Sequence, residues 1–154
     1  MKPSERLKQL GLTLPPVVQP VGSYVPAARV GSLVIVSGQI PIENGQVKVT
    51  GKVGRDVTLE QAAEAARLCG LNALAIIADA AGGIDRVTRI VRLGVFVNSA
   101  PGFTAQPKVA NGASDLMTAV FGEAGKHARA AVGAAELPLN AAVEVEVMAE
   151  VGEA

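Results

Sequence analysis

Histidine and tyrosine occur once each in this chain, tryptophan not at all, and cysteine only as Cys69. A single cysteine excludes any disulfide framework within the chain and fits a reducing compartment. A single histidine, His127, leaves no histidine cluster for a metal site. A Ser-His-Asp triad would have to use His127, and no nucleophile elbow accompanies it. There is no Cys-x-x-Cys and no P-loop. Charge of one sign is missing as well: Lys plus Arg is 14 and Asp plus Glu is 14, so bulk electrostatic attraction to nucleic acid is not expected. The basic cluster Arg86, Arg89 and Arg92 lies along one strand and reads as solvated or ion-paired. No apolar run is long enough to span a bilayer. The start of the chain carries charge at Lys2, Glu5, Arg6 and Lys8 in place of a secretory apolar stretch. A cytoplasmic protein with no membrane, metal or nucleic-acid partner is the expectation.

What is present is apolar: hydrophobic residues make up 49% of the 154 positions and charged residues 18%, enough for one packed domain. With three Phe and one Tyr, the core must be built from Val, Ala, Ile and Leu. Ser4 to Leu10 reads as a short helix, Ser4 as its N-cap and Leu7 and Leu10 on one face, ended by Gly11. Pro15, Pro16 and Pro20 make the next stretch extended. Residues 1–20 are therefore expected to be an arm, and 21–154 a single domain. Ala27–Val30 and Leu33–Val36 predict two strands joined at Gly31-Ser32, the second buried on both faces. Asn44-Gly45 predicts a tight turn before a strand over Gln46–Thr50.

Thr58 and Gln61 form the sequence of a capping box, predicting a long helix to about Ala81, stopped by Gly82-Gly83. Arg86–Asn98 reads as a strand with Val87, Arg89, Val91, Leu93, Val95 and Val97 on one face, and Pro107–Gly122 as a second long helix. Ala128–Ala134 and Ala141–Val151 complete the set. The predicted fold class is α+β, one six-stranded mixed sheet with two helices on one face. The other face carries Val and Ala with no helix left to cover it, so burial against other subunits is the economical solution.

Arg129, flanked by Ala128, Ala130 and Ala131, is the residue that asks most for a partner. A guanidinium among such small residues suits an anion, and its planar fork matches a carboxylate. It could equally reach solvent or pair with Glu144 or Glu146. Glu144 alone says little, because alternating Val and Glu is what a half-solvated strand looks like. Cys69, inside the long helix, reads as a small buried hydrophobe.

Two stretches carry a family resemblance. Gly22-Ser23-Tyr24, then Val36-Ser37-Gly38-Gln39-Ile40-Pro41, resembles the opening of the RidA (YjgF/L-PSP) family, Gly-Pro-Tyr-Ser-Gln followed by a strand and Ser-Gly-Gln-Ile/Leu-Pro. Ala128-Arg129-Ala130-Ala131-Val132, Leu137-Pro138 and Val143-Glu144-Val145-Glu146 resemble its C-terminal Ala-Arg-Ser-Cys-Val, Leu-Pro and Val-Glu-Ile-Glu. The resemblance covers about residues 21–151. Asn111 stands one residue from the family's asparagine, Ala131 replaces its cysteine, and Ser23-Tyr24-Val25-Pro26 replaces Pro-Tyr-Ser-Gln. These departures describe a divergent subgroup.

The resemblance implies a chorismate-mutase-like fold and a homotrimer with pockets between subunits. It implies cofactor-free hydrolysis of 2-imino acids and their enamine tautomers to 2-keto acids and ammonia. Arg129 would hold the substrate carboxylate; Glu144 would orient the attacking water as base and return a proton to the departing nitrogen. Tyr24, Ser37, Gly38, Asn111 and Ala131 would line the pocket, Ala131 through its backbone. Two other classes compete: a non-catalytic trimer that senses a small carboxylate, and an endoribonuclease or translation inhibitor, the last poorly matched to balanced charge and few aromatics.

Overall fold

A computed structural model describes residues 1–17 and 19–153 of the chain. The order is α1 (Pro3–Gln9), β1 (Ala27–Val30), β2 (Leu33–Gln39), β3 (Ile42–Glu43), β4 (Gln46–Val47), α2 (Leu59–Ala81), β5 (Val87–Asn98), α3 (Gln106–Phe121), β6 (Ala128–Ala134) and β7 (Val143–Val151). The fold is α+β, but the sheet has five strands where six were expected, in the order β1-β2-β7-β5-β6. Only β5 and β6 run parallel. The missing strand is β4, which pairs with β3 as a separate hairpin. Asn44 and Gly45 both take positive φ at its turn, the pattern that matches the twist of a two-residue hairpin. The far end of the expected strand still touches the segment leading into β7: Thr50 bridges Ala141, and the Ala142 N–H donates to the Val49 carbonyl (3.1 Å).

The long helices form as their sequences dictate. The Thr58 hydroxyl accepts the Gln61 N–H (3.1 Å), and the Gln61 side chain accepts the Thr58 N–H (2.9 Å). Gly82 closes α2 in the left-handed conformation at φ 81°. α2 and α3 lie on one face of the sheet, burying Ala62, Ala66, Leu74, Ile77, Val109, Leu116 and Met117 against Val34, Leu93, Val95, Val145 and Val147. α1 adds a third helix, with Leu7 in the same core and Leu10 exposed rather than beside it. Lys2, not Ser4, precedes α1. The Ser4 N–H (2.8 Å) and hydroxyl (2.7 Å) donate instead to Asp85, holding its carboxyl below the usual range.

Two strands depart from simple alternation or burial. In β5, Val87, Ile90, Leu93, Val95 and Val97 are buried, while Arg89 is exposed and Val91 half-buried. Register irregularities between Val87 and Arg89 and between Ile90 and Arg92 change the phase, so Arg89 stays out of the core. In β2 only Val34 and Val36 are fully buried; Leu33 and Ile35 face the uncovered side. That outer face also carries half-buried Phe96 and Met148 and an exposed Val132. No helix among the described residues is long and apolar enough to cross a membrane.

α3 can approach α2 closely because position 112 is glycine: a Cβ there would lie on the Ala63 carbonyl, 2.7 Å from its carbon. Backbone cannot yield as a side-chain tip does. Gly112→Ala is expected to cost about 3 kcal/mol through overpacking, which is roughly 6–12 °C in Tm for a chain of this size. Thermal unfolding checks this, and an unchanged Tm would contradict the close approach.

Candidate functional site: two half-sites on opposite faces

The register of the sheet decides where the chemistry-bearing side chains go. Leu93, buried on the helix-covered face, lies beside Val147 on one side and Arg129 on the other. Arg129 and Ala131 therefore share that face, and Arg129 emerges at its edge, where β6 ends the sheet. Phe96 lies beside Glu144, and Gly94 beside Glu146, on the outer face. Arg129 and Glu144 of one chain thus project from opposite sides of the sheet, separated by β5. The chain does not bring them together.

Around Arg129 the partners are neutral. Its Nη1 donates to Asn111 Oδ1 (2.8 Å) and to Ser114 Oγ (3.1 Å), both from α3. Asn111 and Ser114, three apart, present one face of that helix to β6. No carboxylate pairs with Arg129 among the described residues: Glu146 is bound instead by Arg92, Nη1 to Oε1 at 3.0 Å. With both Nη1 hydrogens engaged, the Nε–Nη2 edge makes no protein hydrogen bond among the described residues. That edge is the side-on fork that grips a carboxylate with two bonds.

Glu144 sits in the second group. Gly38, on β2, has no side chain to obstruct it; a Cβ there would lie on Glu144 Oε1 and 3.0 Å from Cδ. Ser37 turns its hydroxyl to the Val25 carbonyl (2.8 Å), fixing the segment that comes after Tyr24. Tyr24 is 58% exposed. Glu144 is half-buried and has no ion-pair partner among the described residues. Burial first, and then repulsion by Glu146, hold its carboxyl above the ordinary carboxylate range. Beneath it, on the helix side, Cys69 is fully buried and burial pushes its thiol well up.

The sequence-predicted residues therefore fall into two sets: Arg129, Asn111 and Ala131 on one face, and Gly38 and Glu144 on the other with Ser37 beside Gly38 in the chain; Tyr24 is exposed, with no hydrogen bond to either set among the described residues. Ser114 and His127 were not among them. Ser114 Oγ lies 2.8 Å from His127 Nε2, and a signal existed, since Ser114 comes three residues after Asn111 on the helix and His127 precedes Arg129 by two. Among the described residues no three His, Cys, Asp or Glu groups are placed to hold a metal ion.

The profile of the family described as YjgF/chorismate mutase-like, putative endoribonuclease matches residues 4–151. The chain belongs to this family, also called RidA or L-PSP. Within it, the chain resembles most usefully a protein of unknown function from Agrobacterium tumefaciens, Atu1372. That crystal structure superposes with a TM-score of 0.88 at 47% identity, covering 97% of this chain and 91% of that one. A 2-iminobutanoate/2-iminopropanoate deaminase from Dermatophagoides farinae is 32% identical over 88% of this chain and 91% of its own length. The Escherichia coli TdcF structure with bound serine is 26% identical with a TM-score of 0.62, covering 88% of this chain and 94% of that one.

The Glu144 environment makes a pH prediction. Glu146→Gln removes a negative neighbour and frees the Arg92 guanidinium, and both changes favour ionised Glu144. Its titration should move to lower pH, read by carboxyl 13C NMR. An unmoved midpoint would show that Glu146 does not act on it.

Proposed function

We propose that this chain hydrolyses small 2-imino acids, or their enamine tautomers, to 2-keto acids and ammonia, at sites assembled between copies of the chain. One observation carries the reading: an arginine fork with only neutral partners and a half-buried carboxylate without a cation, among the described residues, project from opposite faces of one sheet. A second copy can bring the Arg129 set of one chain against the Glu144 set of its neighbour. The half-buried outer face, with Ile35, Phe96, Met148 and exposed Val132 (47%), supports such an assembly. A homotrimer is the closed arrangement the family resemblance implies. The relative named as a 2-imino acid deaminase supports the substrate class, and serine bound to TdcF supports a small carboxylate ligand.

The chemistry comes from the groups themselves. The Nε–Nη2 edge of Arg129 binds the substrate carboxylate and sets the position of the adjacent imine carbon. Glu144, ionised, accepts a proton from water as that water attacks the carbon. The carbinolamine nitrogen takes that proton back from Glu144 and the C–N bond breaks; as the carbinol oxygen becomes the keto oxygen its hydrogen passes to the regenerated Glu144 carboxylate and on to the released ammonia, which departs as ammonium. A protonated imine carbon is already electrophilic, so these two groups suffice for the reaction. A carboxyl held above its ordinary range by burial and Glu146 is better matched to taking and returning a proton near neutrality. Tyr24, Ser37, Gly38, Asn111 and the Ala131 backbone line the site in this reading. An RNA-cleaving reading has less support: the one histidine already engages Ser114 and the Gly125 carbonyl through its two ring nitrogens.

The test is pyruvate and ammonia release from enzymatically generated 2-iminopropanoate. Wild type should accelerate it. Glu144→Gln should lower kcat by about a hundredfold or more, the contribution typical of general acid–base catalysis, while retaining binding. Arg129→Ala should raise KM by roughly ten- to a hundredfold, for loss of a charge-assisted bidentate contact. No acceleration by wild type with retained 2-oxobutanoate binding would replace the enzyme by a carboxylate sensor.

A further inference from the structure

The partner of Ser114 has a second partner of its own. His127 Nδ1 lies 2.6 Å from the Gly125 carbonyl oxygen. A carbonyl only accepts, so Nδ1 carries the hydrogen, and in the neutral ring Nε2 is left as an acceptor. Nε2 lies 2.8 Å from Ser114 Oγ, so the serine hydroxyl donates its hydrogen there. Its lone pairs are then turned toward Arg129 Nη1, 3.1 Å away. The result is one directional chain: Arg129 Nη1–H to Ser114 Oγ, Ser114 O–H to His127 Nε2, and His127 Nδ1–H to Gly125 O. We infer that Ser114 and His127 are positioning residues for the Arg129 fork, fixing which edge of the guanidinium faces the substrate. The inference rests on the reading of Arg129 as the carboxylate anchor.

The anchor point of the chain is rigid. Gly125 is buried, and a Cβ there would lie on the Met117 carbonyl, 2.6 Å from its carbon and 2.9 Å from Thr118 Cα. Only glycine lets the turn after α3 press against the helix backbone this closely. The Gly125 carbonyl is thus held where it selects one imidazole tautomer. Orientation matters because Asn111 alone leaves the guanidinium free to swing about a single bond, whereas two acceptors at Nη1 fix its plane. Ser114 and His127 also resemble the first two members of a hydrolytic triad. Ser114, however, lies in the interior of α3, where its own N–H is committed to the helix, and its oxygen receives an arginine N–H. The pair is built to hold a cation in place rather than to attack a carbonyl.

Because His127 is the only histidine, its tautomer can be read without resonance assignment. At a pH where the ring is neutral, the 15N NMR spectrum should show it protonated at Nδ1, the opposite of the form that predominates in free histidine. In calorimetric titration with 2-oxobutanoate, Ser114→Ala and His127→Phe should each weaken binding by about three- to tenfold, the effect of losing one hydrogen bond in such a chain. The double variant should lose no more than the larger single effect, because both act through the same link. Ser114→Thr, which keeps the hydroxyl, should bind like wild type. With 2-iminopropanoate the losses should fall on KM and leave kcat nearly unchanged. An Nε2-protonated ring, or single effects that multiply in the double variant, would overturn the inference. So would unchanged binding in His127→Phe when Arg129→Ala weakens it about tenfold or more, and that outcome would leave the anchor reading standing. Equal binding by wild type and Arg129→Ala would overturn the anchor reading and this inference together.

Discussion

Everything chemical in this chain depends on strand alternation across three adjacent strands held in fixed register. β7, β5 and β6 place Val147, Leu93 and Arg129 side by side, and Glu144, Phe96 and Val132 side by side. Successive residues of a strand point to opposite faces, so an odd position of β6 and an even position of β7 cannot share a face here. The apolar demand of the core sets this phase. Val143, Val145 and Val147 are buried under α2 and α3, and Glu144 and Glu146 are forced outward by the same alternation. A one-residue slip would bury two carboxylates, so the register is strongly specified.

That partition leaves two charges incompletely satisfied within the chain, and their surroundings differ. Glu146 and Arg92, near neighbours on the outer face, neutralise one another at 3.0 Å, over a strand position where Gly94 makes room for them. Among the described residues Glu144, two positions earlier, receives no such cation, and Arg129 receives oxygen acceptors without charge. An ion pair with Glu146 would have made Arg129 structural. Neutral acceptors instead orient the guanidinium without quenching its charge, which is what a carboxylate-binding arginine needs. The closed polar chain through Ser114 and His127 extends the same logic to the helix side.

Much of this was legible from local chemistry. The Thr58–Gln61 capping box, the left-handed stop at Gly82, the Asn44-Gly45 turn and the Val/Glu alternation of β7 act within a few residues, and each appears where its sequence places it. The motifs around Ser37-Gly38 and Arg129 identified the family from sequence as well. What stayed hidden depends on contacts distant in the chain. Gln46–Val47 pairs locally with Ile42–Glu43 while Thr50 bridges Ala141, and nothing in the strand's own residues announces that division. The phase of β5 changes at irregularities that keep Arg89 out of the core, although a strict period of two places it inside. Ser114 and His127 meet Arg129 because α3 packs beside β6; their spacing from Asn111 and Arg129 hints at a shared face, but the packing that joins them is not written in either local sequence.

That Arg129 and Glu144 of one chain belong to different sites is tested most directly by mixing two variants that are each strongly impaired when substrate is well below the wild-type KM. Arg129→Ala and Glu144→Gln would be unfolded together in equal amounts, refolded, and assayed on 2-iminopropanoate beside each variant alone. In any cyclic assembly whose sites take Arg129 from one chain and Glu144 from the next, random mixing gives about a quarter of the sites both native groups. The expected result is recovery of roughly that fraction of wild-type activity. If each site were contained in a single chain, every site would keep one defect, and a mixture no more active than its components would contradict the shared-site arrangement.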